Sequence, residues 1–275
     1  MSGCYVSAFC CFITRLHRLV LACLLVAGIS PQVCADEAEA VPEVRIAYVE
    51  FPPYTYRNAM GDAAGSVIDI TRKVVEEAGY RPDFIYLPVT RVYLYLRNGD
   101  IDLWPGLSRI PVLREDVLES WASPMPVYLS AWYLQSTPAL EHFDQFDGKT
   151  VIVVGGYTYR GLAAWLERWD QVRVTQAPNH RAGLDMLKRG RGDYLLDYRE
   201  PVREVLEQPG DLDIRETKVR TRHVAWLFSL ANPRAAVLRE AFDDAYIRLA
   251  ERGKVPAQNN PDNGFVIPGF PEQFR

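Results

Sequence analysis

The chain has 275 residues, of which 48% are hydrophobic, 24% charged and 12% aromatic. That balance belongs to an ordinary globular protein and excludes disordered, collagen-like and multi-span membrane chains. The formal net charge of -4 leaves no basic excess to neutralise phosphates, which argues against a nucleic-acid partner.

The first 35 residues read as a secretory signal. Arg15, His17 and Arg18 flank the apolar run Leu19–Ile29, and Val33-Cys34-Ala35 fits a cleavage site, with the mature chain starting near Asp36. The run is shorter than the roughly 20 apolar residues of a membrane helix. All five cysteines lie in this segment. The mature chain is therefore expected to carry no disulfide, thiolate nucleophile or cysteine metal site. His142, His180 and His223 are scattered without ligand spacing, so no metal or other cofactor is expected. Export without cysteines suits a bacterial periplasm.

Val44–Val49 is β-rich and stops at Pro52-Pro53. Ser66 is expected to cap a helix with Asp69 as its capping-box partner, an apolar face at Val67, Ile70, Val74 and Ala78, and an end at Gly79. Asp83–Leu87 reads as a strand. Thr90 is expected to cap a second helix that ends near Asn98-Gly99, and Ile101–Trp104 follows as a buried strand. The pattern restarts at Thr150–Val154, with a helix around Arg160–Arg168, a strand at Val172–Thr175, a helix from Asn179 to Gly190 and a strand at Tyr194–Leu196. Asn232-Pro233 opens a last helix with the stripe Leu238, Ala241, Phe242, Ala245 and Leu249.

Two segments echo each other. Leu96-Arg-Asn-Gly99-Asp-Ile-Asp102-Leu103 and Leu187-Lys-Arg-Gly190-Arg-Gly-Asp193-Tyr194 share leucine, base, glycine and aspartate at the same offsets. Each reads as a basic last helical turn, a glycine cap and a tight turn into a strand. The fold class is therefore α/β, with two similar lobes joined by two crossing segments, Val127–Gln135 and Thr221–Leu230, and a ligand cleft between strand ends. The expected division is 43–134 with 225–256 for the first lobe, 135–224 for the second, and a tail at 257–275.

Phe51-Pro-Pro-Tyr54, Gly65-Ser-Val-Ile-Asp69, Pro88-Val-Thr-Arg91, Asn98-Gly-Asp-Ile-Asp102, Gly106-Leu-Ser108, Trp121-Ala-Ser-Pro124 and Asp193-Tyr-Leu-Leu-Asp197 occur in that order. This set resembles the periplasmic amino-acid-binding proteins of ABC importers, the family 3 solute-binding proteins, over most of residues 44–255. The resemblance implies a hinged two-lobe trap of the type II periplasmic-binding fold. It places Arg114 as the arginine that binds the ligand carboxylate, with Arg109 in the same, one-residue-longer loop as the alternative. A guanidinium suits this role because it donates two parallel charge-assisted bonds. Gly106 and Ser108 match strand-end contacts, Tyr54 the aromatic cover, and Arg91 a basic residue at a helix start. Glu50 and Tyr48 are weaker cleft candidates. In the second lobe, Gly155-Gly156-Tyr157-Thr158 leads into a helix N-terminus, where free amides favour an anion, and Thr158 is the matching contact. Asp197 matches the ammonium-binding carboxylate, with Tyr198 one residue on.

The expected function is capture of an amino acid or related carboxylate, as a monomer, for an inner-membrane ABC permease. The alternatives are an enzyme on the same fold, resembling cyclohexadienyl dehydratases, with Glu50, Asp197 and Glu200 as acid or base, and a ligand-sensing subunit.

Overall fold

The computed structural model describes residues 41–206, 213–257 and 264–274. The expected signal peptide and its cleavage site lie outside the described residues.

The first half opens with β1 (Glu43–Tyr48), followed by a small hairpin of β2 (Tyr56–Arg57) and β3 (Ala63–Ala64). Helix α1 (Ser66–Glu77), β4 (Arg81–Tyr86), α2 (Val89–Asn98), β5 (Leu103–Leu107) and β6 (Val117–Glu119) complete it. Next come β7 (Pro126–Leu134), β8 (Thr150–Val154), α3 (Leu162–Leu166), β9 (Arg173–Ala177), α4 (His180–Lys188), β10 (Tyr194–Tyr198) and α5 (Arg199–Val205). The 16-residue strand β11 (Ile214–Ser229) and the helix α6 (Ala235–Glu251) follow.

β1 lies between β4 and β5, parallel to both, and β8 lies between β9 and β10, again parallel to both. Strands covered on both faces need continuous apolar runs, and Val151–Val154 are at most 3% exposed. β11 joins the two sets. Its residues Ile214–His223 pair antiparallel with β7, and Val224–Phe228 pair antiparallel with β5. The strand order is β4-β1-β5-β11-β7-β10-β8-β9, with β6 also on β11.

The echo between Asp102 and Asp193 is physical. Asp102 Oδ2 accepts the backbone N–H of Arg45 at 2.8 Å, and Asp193 Oδ2 accepts that of Thr150 at 2.7 Å. Each carboxylate ties the turn after a helix to the first strand of its own half. Gly99 and Gly190 take the left-handed backbone that such turns need, at φ 75° and 66°.

Two helix starts differ from expectation. Gly65, not Ser66, precedes α1, and no side chain caps that end. A Cβ on Gly65 would lie 2.3 Å from the Tyr54 carbonyl oxygen. The Tyr54 loop supplies the cap itself, since Ser66 N–H donates to Pro53 O and Val67 N–H to Tyr54 O. Likewise Pro88 precedes α2, and Thr90 sits inside the helix. Asn179 does cap α4, accepting from Ala182 N–H at 2.9 Å. The expected helix at Arg160–Arg168 is shorter: a 3-10 turn at Tyr159–Gly161 leads into α3.

α6 buries Leu238, Phe242, Ala245, Tyr246 and Leu249 against Trp226 and Phe228 of β11. Each such side chain contributes about 1.5–3 kcal/mol on leaving water. Residues Val127–Leu134, expected to cross between halves, already pair with β10 and β11. The chain crosses just before them, at 120–125, beside the change of partners at His223–Val224, where Val224 N–H donates to Met125 O at 3.1 Å.

A third passage follows α6. Thr221 N–H donates to Phe265 O and Ile267 N–H to Val219 O, so the last described segment lies along the β11 edge of the second half. The Phe270 ring sits 5.0 Å from that of Phe143, and Phe274 lies 6.1 Å from Trp165.

Candidate functional site

The Phe51-Pro-Pro-Tyr54 loop folds tightly: Phe51 and Thr55 exchange backbone hydrogen bonds, and Thr55 Oγ1 donates to Val49 O. This projects Phe51 and Tyr54, stacked at 5.4 Å, out of the first half. Phe51 then meets Tyr198 edge-on at 5.1 Å and Tyr157 at 6.0 Å in the second half. Polar contacts accompany the rings. Tyr157 OH donates to Glu50 O at 3.0 Å, while Glu200 stands beside Tyr54 and Thr158 beside Tyr93. Burial, then the nearby charge of Glu200, push the Tyr54 phenol well above its usual range. It stays a neutral donor at physiological pH.

Behind these contacts is a cavity of about 50 Å³, lined from one half by Tyr54, Trp104 and Gly106 and from the other by Thr158, Arg160 and Arg222. Arg222 is 6% exposed, and its Nη2 donates to Ser108 O at 2.5 Å. Trp104 Nε1 is buried without a hydrogen-bond partner among the described residues. Buried donors of this kind are costly unless something accepts from them. Two more open clefts flank the cavity along the same seam. One, of about 570 Å³, is bordered by Arg109, Arg114, Glu119 and Arg160. The other, of about 350 Å³, is bordered by Glu50, Gly155, Gly156 and His180.

The expected site residues distribute as follows. Tyr54, Gly106 and Thr158 line the cavity. Gly106 has a packing reason as well: a Cβ there would lie 2.6 Å from the Trp104 ring two residues earlier on the same face. Ser108 is reached through its backbone, its N–H donating to His223 O and its carbonyl accepting from Arg222. Arg114 and Arg109 border the outer cleft, not the cavity. Arg109 holds a left-handed backbone, φ 58°, and its N–H donates to Glu119 Oε1 at 2.7 Å. Glu50 is exposed on the opposite cleft, and Arg91 is exposed in the first turn of α2 without bordering any of these spaces. Asp197 is fully buried and already engaged: Oδ2 meets His180 Nδ1 at 2.7 Å, and Oδ1 accepts from Tyr198 N–H at 2.7 Å. It fixes the ring that borders the cleft and does not line the cavity itself.

The residues that sequence reasoning missed are Arg222, Arg160, Trp104 and Tyr93. The one available signal was Arg220-Thr-Arg222, two cations at strand spacing just before the apolar run Val224–Phe228.

No family model matches the chain, and no curated protein does. Solved structures do. An ancestral arginine-binding protein bound to arginine is 18% identical with a TM-score of 0.64, covering 77% of this chain and 94% of its own. A histidine kinase sensor domain with similarity to periplasmic binding proteins is 16% identical with a TM-score of 0.67, covering 78% and 92%. An ABC uptake transporter substrate-binding protein from Streptococcus pneumoniae with bound histidine is 22% identical with a TM-score of 0.64, covering 77% and 88%. The chain has the two-lobed type II periplasmic-binding-protein fold. In this fold the cavity and its flanking clefts occupy the interlobe seam, and residues from both lobes line it. No helix among the described residues is long and apolar enough to cross a membrane.

Proposed function

We propose that the protein is a periplasmic solute-binding protein that captures a small carboxylate between its lobes, as a monomer, and delivers it to an ABC permease. The observation that carries this reading is the buried Arg222 guanidinium, which faces a cavity walled by both lobes. A guanidinium removed from water binds a carboxylate more strongly than one at the surface. Arg160, Tyr54 and Thr158 are the accompanying contacts, with Arg109 and Arg114 at the entrance. The bodies that move are 43–125 with 224–257, and 126–206 with 213–223 and 264–274. The cavity is far below the roughly 300–1,000 Å³ of typical ligand sites. Loading therefore requires the seam to open at Tyr157–Glu50, Tyr54–Glu200 and Tyr93–Thr158. The structures similar in fold, described as bound to arginine, glutamate or histidine, support a binding role.

The enzyme alternative has less support. Its three carboxylates have different surroundings: Asp197 is bonded to His180, Glu200 stands beside Tyr54, and Glu50 is exposed.

Thermal melting against a panel of amino acids and organic acids tests the proposal. At least one small carboxylate should raise the midpoint saturably, since a ligand at about 100 times its Kd adds about 2.7 kcal/mol to stability. A panel in which no carboxylate moves the midpoint would sink the reading.

A further inference from the structure

Four guanidinium groups gather on one side of the seam. Arg220 and Arg222 lie two residues apart on β11. Arg160 and Arg222 line the same cavity, while Arg160 and Arg109 border the same outer cleft. Arg220 and Arg222 are 8% and 6% exposed. Two cations so far from water are costly without an opposing charge. Yet the partner of Arg222 is the neutral Ser108 carbonyl, and that of Arg220 is the face of the Phe270 ring, 5.5 Å away. Neither forms an ion pair with a carboxylate among the described residues. Glu119 is the carboxylate whose charge reaches Arg160 and Arg222, and it already accepts the Arg109 N–H.

The groups also repel one another. Burial, then the charges of Arg222 and Arg160, push the Arg220 guanidinium down to about 9, and burial lowers Arg222 and Arg160 as well. On the negative side, no aspartate or glutamate is among the described residues lining the cavity. Of the two carboxylates nearest in sequence to Tyr198, Asp197 is bonded to His180, and Glu200 stands beside Tyr54 with Oε2 buried and unpartnered among the described residues.

We propose that the seam selects a small polycarboxylate, a ligand with at least two negative charges, held by Arg222 and Arg160 with Arg220 and Arg109 alongside. The assignment rests on the solute-binding reading and names its ligand class. One carboxylate satisfies one planar guanidinium fork, so a second anionic group is needed to engage a second. Arg109 belongs to the first lobe and Arg160 to the second, so a ligand with two anionic ends also bridges the lobes.

Titration calorimetry with citrate, succinate, inorganic phosphate, glutamine and histidine tests this. Citrate or succinate should bind at least about tenfold tighter than glutamine or histidine, and added salt should weaken it. Arg222→Gln and Arg160→Gln should each lower that affinity by about 30-fold or more, as loss of one partner of a buried charged pair requires. Circular dichroism checks that both variants fold. If either does not, the exposed Arg109→Gln replaces it, with an expected loss of about fivefold. Binding of glutamine or histidine without citrate or succinate would overturn the polycarboxylate assignment and leave the solute-binding reading standing. Phosphate binding tighter than either organic acid would overturn the carboxylate class. Polycarboxylate affinity unchanged in the arginine variants would also overturn it. Silence from all five probes would overturn this assignment and count against the solute-binding reading.

Discussion

Asp102 and Asp193 stand at the same point of the two halves, each accepting a backbone N–H from the first strand of its sheet. Their surroundings differ. Asp102 also binds the Arg45 guanidinium, through Nε at 3.3 Å and Nη2 at 2.8 Å, and accepts from Asn232 Nδ2 at 2.7 Å. The Asp102 site therefore ties β1, the turn into β5 and the approach to α6 together, whereas Asp193 ties two strands. The covers differ too. The first half is closed by α6 over Trp226, and the second by the Phe265–Phe274 segment over Phe143 and Trp165. One repeated αβαβ unit thus accepts a helix or an extended segment as its lid, provided that apolar surface is covered. What repeats is the turn chemistry, and what diverges is the packing laid over it.

The largest test of this contrast is a pair of substitutions. Asp102→Ala should cost about 3–5 kcal/mol, because it leaves a buried hydrogen-bonding network and the Arg45 charge without their shared partner. Asp193→Ala should cost about 1–2 kcal/mol, the loss of one backbone contact. Urea unfolding measures both, and equal losses would mean that the two aspartates play the same part in spite of their neighbours.

A second test uses the charge asymmetry of the seam. Arg220→Met should stabilise the ligand-free protein by about 1–2 kcal/mol, since an apolar chain of similar length replaces a buried cation repelled by Arg222 and Arg160. Below about pH 9 Arg220 is charged in both the folded and unfolded protein, so the penalty is present in full. Above that point the folded form loses its proton first, the unfolded form binds more protons, and the stability of the unsubstituted protein rises. The advantage of the variant should therefore shrink as pH climbs past 9. Thermal melts at pH 7 and pH 10 read this out, and a variant less stable than the parent at pH 7 would contradict the repulsion.

The smallest effect concerns helix starts. Asn179→Ala should cost about 1 kcal/mol by removing the α4 cap, while Ser66→Ala at α1 should change stability by less than about 0.5 kcal/mol, since Ser66 does not cap that helix. Denaturant midpoints of the two variants separate these outcomes.

The repeated units were legible because their signals are local. Gly99, Gly190 and Asn179 each act within a few residues of themselves, and the β-branched run at Val151–Val154 could only be a covered strand. The starts of α1 and α2 were misplaced because their caps come from elsewhere: the Tyr54 loop supplies carbonyls to Ser66 and Val67, and Pro88 holds the position before Val89. The site was legible in part. Gly106 reaches the cavity from the end of β5, and Tyr54 and Thr158 from the loops that follow β1 and β8, which the α/β pattern predicts. Arg222 was missed because its burial depends on Ser108, which is 114 residues away in the chain. Asp197 looked available because its partner His180 lies on a helix 17 residues earlier. The Phe265–Phe274 segment has no periodicity to announce it, and only the β11 edge gives it a place.

The change of partners along β11 governs how this protein can be assembled. Residues 214–223 finish one sheet and 224–229 the other, so a chain emerging N-terminus first holds most of both sheets before it can complete either. The first β4-β1-β5 set waits with its β11 edge and its α6 face uncovered until β11 and α6 have been made, and the second set waits longer still for Phe270 and Phe274. Pairings of long sequence separation form slowly, because their ends must be brought together before any contact rewards the loss of chain entropy. The nascent protein is accordingly held open by its own topology until β11 and the Phe265–Phe274 segment have been made.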